Sequence, residues 1–288
     1  MNRISILMMI FILALSTLAC GITINFPVTN LKPGPTVTDD IYVPLTASSL
    51  PMELTLAFGA GELRISPGAQ NALVQGSATF NLPDLKPEVS VDDNRVRIET
   101  GELEIGGIPN LRGEYKNEWD LKLSQAPMDI RISAGAYKSR IDLGGLSILS
   151  LSVSDGAAEV ELEFSQPNRV EMSTLRYETG ASSVTLRGLA NSNAQSVIFK
   201  AGAGEYTLDF SGELRRDMDV KIDTGMSSMT IVVPKGVSAR VLYDGGLSNV
   251  DVSGDWEKVG NDYYLTGEGP RITINVNLGA GNLELRNR

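Results

Sequence analysis

Histidine is absent from this chain, and cysteine occurs once, as Cys20. Without histidine there is no Ser-His-Asp or Cys-His catalysis, most zinc sites are excluded, and the commonest general base is missing. A single cysteine forms no intramolecular disulfide. Basic residues are in deficit, 25 Lys and Arg against 35 Asp and Glu, for a formal charge of −10. Nucleic-acid binding needs clustered cations, and the scattered ones here argue against it. Helix signals are nearly absent beyond residue 20, where 13 prolines and 29 glycines punctuate the chain and no apolar run at 3.6 spacing passes two turns. Aromatics make up only 6% of the residues, so any core is built from Val, Leu and Ile.

What the chain does contain is a repeat. An alternating strand, a glycine corner that is Gly-Ala at all but Gly225 and Gly246, and a second alternating strand recur around Gly59, Gly135, Gly156, Gly180, Gly202, Gly225, Gly246 and Gly279. From Gly135 to Gly246 the intervals are 21, 24, 22, 23 and 21 residues. Within the blocks the fourth and sixth residues after the glycine are apolar and the fifth is polar, as in Val160-Glu161-Leu162 and Val184-Thr185-Leu186, except around Gly135, where Ser139 holds the fourth position. Such alternation turns one face inward and the other to water. The glycine is expected to supply a positive φ for a sharp corner, and the small residue after it to allow close stacking.

One repeat cannot bury its apolar face alone, so neighbouring repeats must stack on it. The expectation is an all-β, single-stranded β-solenoid, parallel β-helix-like, of about nine coils of roughly 22 residues spaced about 4.8 Å apart. A β-sandwich is the competing architecture, and the near-constant period favours the solenoid.

The N-terminus reads as an export signal: Arg3, an apolar stretch from Ile4 to Leu15, then Ser16-Thr17-Leu18-Ala19 before Cys20. Cys20 sits where bacterial lipoproteins carry their lipid-modified cysteine, although Thr17 stands where leucine is usual. An ordinary cleaved signal peptide and an uncleaved anchor are the alternatives, and all three place the body outside the cytoplasm. The domain expectation is a lipoprotein-type signal over 1–20, an extended tether over 21–43, an N-terminal β region over 44–140, and a solenoid over 141–288 continuing the same stack. Anchoring is to the membrane through the N-terminal lipid.

Carboxylates are the remaining chemistry. Glu99, Glu102 and Glu104 lie around Gly101, and Asp217 and Asp219 follow Arg215-Arg216. Two carboxyls facing each other across a groove would suit glycoside hydrolysis, but acidic residues on the outer face of an acidic solenoid are expected in any case. No catalytic, cofactor-binding or metal-binding residue is assigned. The Gly-Ala-Gly elements lack the spacing of phosphate loops and fall at structural corners. Trp256, Tyr263 and Tyr264 lie in the long interval between Gly246 and Gly279. An insertion there becomes a loop or hairpin, whose aromatics either contact a glycan or protein partner or cap the core. The expected assembly is a monomer or weak oligomer.

The run from LAFGAGELRISPG through NEWDLKLSQAPMDIRISAG to LSLSVSDGAAEVEL resembles the toast-rack N-terminal domain. The later run, from ETGASSVTL to LGAGNLEL, is similar to adhesin-type β-solenoids and to the C-terminal domain of LiaF-type cell-wall-antibiotic response proteins. The resemblance covers roughly residues 43–288 and implies a bacterial envelope protein without established catalytic residues. A non-enzymatic, adhesin-like binding or scaffold module follows from it. An envelope-stress accessory protein that binds a membrane sensor, and a polysaccharide-active enzyme, are the alternatives. LiaF-type proteins place several membrane helices before the solenoid, and this chain has only the short export segment.

Overall fold

The computed structural model describes residues 28–29, 33–45, 50–101, 108–109 and 115–288. These contain seventeen strands and no α-helix. In chain order they are β1 (Val28–Thr29), β2 (Val37–Pro44), β3 (Met52–Pro67), β4 (Ala72–Phe80), β5 (Pro87–Asp92), β6 (Arg95–Thr100), β7 (Ile108–Pro109) and β8 (Asn117–Leu123). Then come β9 (Met128–Asp142), β10 (Ile148–Glu163), β11 (Met172–Arg187), β12 (Ala194–Asp209), β13 (Met218–Val233) and β14 (Ser238–Ser253). The last three are β15 (Glu257–Val259), β16 (Asp262–Leu265) and β17 (Arg271–Asn287). The chain divides into two units, residues 1–32 with 103–114 and residues 33–102 with 115–288. In the first, the described residues form one short parallel pairing, β1 with β7. The export segment and Cys20 lie outside the described residues.

The second unit is a β-solenoid. Its long strands pair in parallel in the order β3, β9, β10, β11, β12, β13, β17, β14. On its other edge β3 meets two short parallel strands, β6 against Glu53–Ala57 and β8 against Glu62–Pro67. Those two together form one further layer, which makes nine, the number the repeat predicts. Burial alternates along each strand half, and its parity slips at the corner: in β12, Val197 and Phe199 point inward, then Tyr206 and Leu208. A straight strand would keep its parity, so the slip marks the chain turning around the core.

Register stacks like residues into ladders. Val96, Leu54, Ile130, Leu151, Leu175, Val197, Val220, Ile274 and Val241 are successive partners, and all are buried. A second ladder runs from Trp119 through Leu63, Ser139, Val160, Val184, Tyr206, Met229 and Leu283 to Val250, with Ser139 its one polar rung. Each fully buried aliphatic or aromatic rung contributes roughly 1.5–3 kcal/mol.

The corner glycines work differently from the expectation. None of Gly59, Gly135, Gly156, Gly180, Gly202, Gly225, Gly246 and Gly279 has a positive φ. Each one from Gly135 onward instead abuts the glycine of the adjacent layer, so that an added Cβ would sit between 2.5 and 3.0 Å from that carbonyl oxygen. Close backbone approach is therefore what demands glycine here. Positive φ falls on the second glycine of the Gly-Ala-Gly corners, at Gly61 (135°), Gly204 (152°) and Gly281 (134°).

Three further expectations need correction. Residues 37–43, assigned to the tether, belong to β2, which pairs antiparallel with β4. The boundary after residue 140 falls inside β9. The last layers are also out of chain order, because β17 inserts between β13 and β14. The composition of the two strands explains the swap. β17 offers Ile272, Ile274, Val276, Leu278, Leu283 and Leu285, all buried, whereas the second half of β14 is rich in Ser, Asn and Asp. The more apolar strand takes the place covered on both sides.

Candidate functional site

The hairpin β15–β16 fills the long interval between Gly246 and Gly279, and it docks on only the first half of β14. Tyr263 pairs with Val241 and Leu265 with Ala239, antiparallel. Tyr263 and Leu265 are buried and close the inner ladders at this end of the stack. Lys258 lies 5.4 Å from the centre of the Tyr263 ring. Tyr263, a candidate for partner contact from the sequence, is thus turned into the cap. Trp256 and Tyr264 are half-buried, and the Trp256 indole N–H has no acceptor. Cys20, the other residue singled out, lies outside the described residues.

Tyr264 leads to a surface the sequence did not reveal. Its hydroxyl donates to Asp262 Oδ2 at 3.2 Å, and Arg240 Nη2 donates to the same oxygen at 3.1 Å. The Arg240 guanidinium lies 5.4 Å from the Tyr264 ring centre, in cation–π range. The hydrogen bond to Asp262 raises the Arg240 pKa above its ordinary value, so the cation is fixed. Asp262 in turn borders a groove of about 220 Å³ on the outer face of β13, β17 and β14.

Register builds the floor of that groove. Asp223, Asn277 and Asp244 stand side by side in one row, and Lys221, Asn275 and Leu242 in the row behind. Lys221 Nζ pairs with Asp223 at 3.3 Å. Three carboxylates and two amides around one hollow present more acceptors than donors, with Asp223 paired to Lys221 and Asp262 to Arg240. Such a lining suits a neutral ligand that donates hydroxyl hydrogens. Asp223, Asn277 and Asp244 each stand two residues before their corner glycine. The column was readable in the sequence, but its last two members become neighbours only because β17 precedes β14 in the stack.

A second polar cluster lies inside. Asp155 is 8% exposed and accepts hydrogen bonds from the hydroxyls of Tyr177 (2.6 Å), Tyr137 (3.3 Å) and Thr179. Burial first, then the neighbouring Asp155 charge, pushes the Tyr137 pKa well above the ordinary tyrosine range. Burial does the same to Tyr177, with the charges of Tyr137 and Asp155 adding to it. Closed off among core side chains, these groups tie layers together.

The carboxylates weighed as catalysts from the sequence do not converge. Glu99 is held by Arg97, Asp217 accepts the Arg271 backbone N–H at 2.8 Å, and Asp219 is exposed. Glu102 and Glu104 lie outside the described residues. Among the described residues no group of three or more His, Cys, Asp or Glu side chains is placed to hold a metal ion. Nor is any helix among them long and apolar enough to cross a membrane.

Comparison with known proteins gives one family. The family model described as the N-terminal domain of toast_rack, DUF2154, matches residues 32–187 and again 167–232. No curated protein matches the chain. Among solved structures, a provisionally named cell adhesion protein from Clostridium sporogenes is similar, with 20% identity, a TM-score of 0.54, and coverage of 88% of this chain and 100% of that one. A provisionally named adhesin from Parabacteroides merdae has 11% identity and a TM-score of 0.41, covering 90% of this chain and 98% of its own. Another from Bacteroides fragilis has 11% identity and a TM-score of 0.40, with coverage of 87% and 97%.

Proposed function

The chain belongs to the toast-rack N-terminal domain family, and from that premise we propose that it is a non-enzymatic, adhesin-like binding module of the bacterial cell surface. Its solenoid serves as a rigid scaffold, and the groove bordered by Asp223, Asp244 and Asp262 takes a neutral, hydroxyl-rich glycan. The observation that carries this reading is the groove itself: acceptor side chains lined up across three layers, with the Tyr264 hydroxyl bonded to Asp262 at its border. Sugar hydroxyls donate to carboxylates and amides. The fold shared with the Clostridium sporogenes protein supports a role in adhesion.

Attachment is through lipid on Cys20, which becomes the mature N-terminus. Two acyl chains suffice for stable anchoring. Mass spectrometry of the mature protein then finds a diacylated N-terminal cysteine, and Cys20→Ala releases the protein into the medium. An unmodified Cys20 removes the anchor from the reading and leaves the module secreted.

Titration of the full chain with neutral and anionic oligosaccharides tests the groove. Binding to a neutral glycan is expected, and Asp244→Ala or Tyr264→Ala should weaken it about tenfold, near 1.4 kcal/mol. Failure to bind any glycan, or binding that neither substitution alters, overturns the assignment.

A further inference from the structure

We propose that two copies of this chain join through the second halves of their β14 strands, antiparallel about a two-fold axis at Val250. The surface is an unfinished edge. β16 covers β14 only at Ala239, Arg240 and Val241, and among the described residues no strand pairs with the outer edge of residues 242–253. Leu247 is 87% exposed there and Val252 is 43% exposed. Leu247 also continues an outward row through Ala280 to Met226, itself 68% exposed.

Other edges of the sheet are guarded in the usual ways. β2 carries Asp39, Asp40 and Pro44, and the short β5 carries Pro87, Glu88 and Asp92. Charges and prolines of this kind discourage strand addition. The open part of β14 has no proline, and Asp244 and Asp251 are its two charges. An exposed, lightly charged edge with apolar residues is a template for a further strand.

The occupant follows from the two ends of the stack. At the opposite end, β4 lies antiparallel on β8 and β5 lies antiparallel on β6. A second copy therefore meets no parallel layer there to continue head to tail. The same edge of a second copy remains, and a two-fold arrangement closes on itself.

The residues also choose the register. An axis at Val250 sets Val250 against its own copy and Val252 against Ser248 on the inner face. On the outer face it sets Asn249 against Asp251, a donor facing an acceptor in both halves of the pair. An axis at Asp251 would oppose two carboxylates, and one at Asn249 would oppose Asp251 and Leu247. The Val250 axis alone of these three opposes neither two carboxylates nor a carboxylate and a leucine.

Cysteine crosslinking of the full chain, in a Cys20→Ser background, tests this register. Directly opposed residues of an antiparallel pair have Cα atoms about 4.5–5.5 Å apart, within disulfide reach. Val250→Cys should therefore give a disulfide-linked dimer on mild oxidation. Asp251→Cys should not, since each copy is displaced along the strand by two residues, about 7 Å. Sedimentation of the unsubstituted full chain should show dimers that Val250→Lys converts to monomers. Val252→Lys, at a more exposed position, repeats that test if Val250→Lys fails to fold. Monomers at every concentration, filaments, equal crosslinking by both cysteines, a dimer indifferent to lysine, or crosslinking only to a foreign protein would each overturn the proposal.

Discussion

The Tyr177 hydroxyl donates a 2.6 Å hydrogen bond to the Asp155 carboxylate within the core of the solenoid. Tyr177 belongs to the layer after Asp155, and Tyr137 reaches the same oxygen from the layer before it. One acidic side chain thus links three successive layers. An acceptor this buried persists only because several hydroxyls satisfy it.

Removing that acceptor strands its donors. Asp155→Ala should lower stability by about 1–3 kcal/mol, the cost of leaving buried hydroxyls unpaired. Tyr177→Phe, which removes one donor of several, should cost less. Urea denaturation of the two variants reads the difference. Equal stability of Asp155→Ala and the unsubstituted chain would mean that the cluster ties nothing together.

The two tyrosines also set an alkaline limit. Their pKa values are raised in the folded state, so above about pH 10 the unfolded chain loses these protons while the fold retains them. Stability is then complete below pH 10 and falls as pH rises beyond it, with a slope of about 1.4 kcal/mol per pH unit for each tyrosine. Denaturation followed from pH 8 to 12 should show that decline, and the double variant Tyr137→Phe/Tyr177→Phe should flatten it. A slope unchanged in the double variant would assign the alkaline loss to other groups.

Two glycines that look identical in sequence should respond oppositely to alanine. At Gly202 a Cβ would lie 2.6 Å from the Gly180 carbonyl oxygen, so the layers must part. At Gly59 a Cβ would meet nothing within 4 Å. Gly202→Ala should destabilise by about 1–3 kcal/mol, the usual cost of overpacking. Gly59→Ala should be neutral or gain up to about 1 kcal/mol from a less flexible unfolded chain. Thermal melts of both variants decide the matter.

Truncation tests the order of the last layers. Deleting residues 271–288 removes β17 from between β13 and β14. β14 and the β15–β16 hairpin should then lose protection from hydrogen exchange, while β9 to β12 keep theirs. Were the layers stacked in chain order, the deletion would leave β14 protected on β13.

Much of this was legible in the residues. The alternation of Val160 with Leu162 and of Val184 with Leu186, repeated at a steady interval, required stacked coils, and nine layers are found. The aromatic insertion was recognisable as a loop or hairpin from its length. Its orientation was not: Tyr263 and Tyr264 are adjacent, and only pairing with Val241 assigns the first to the interior. Asp155 sits in a Ser-Asp-Gly corner, where an acidic residue ordinarily faces water. Its burial depends on Tyr137 and Tyr177, which come from other layers and carry no mark of this role in the sequence.

By itself the sequence determined the repeating coil, because period-2 alternation and evenly spaced glycines leave an apolar face that only another coil can cover. It also excluded histidine chemistry and an intramolecular disulfide outright, since those residues are absent or single. Tertiary structure alone decided which coil lies beside which. β17 displaced β14 from the interior because the free energy of burial depends on both neighbours of a strand. That exchange brought Asn277 between Asp223 and Asp244, and it left the polar half of β14 as an open edge.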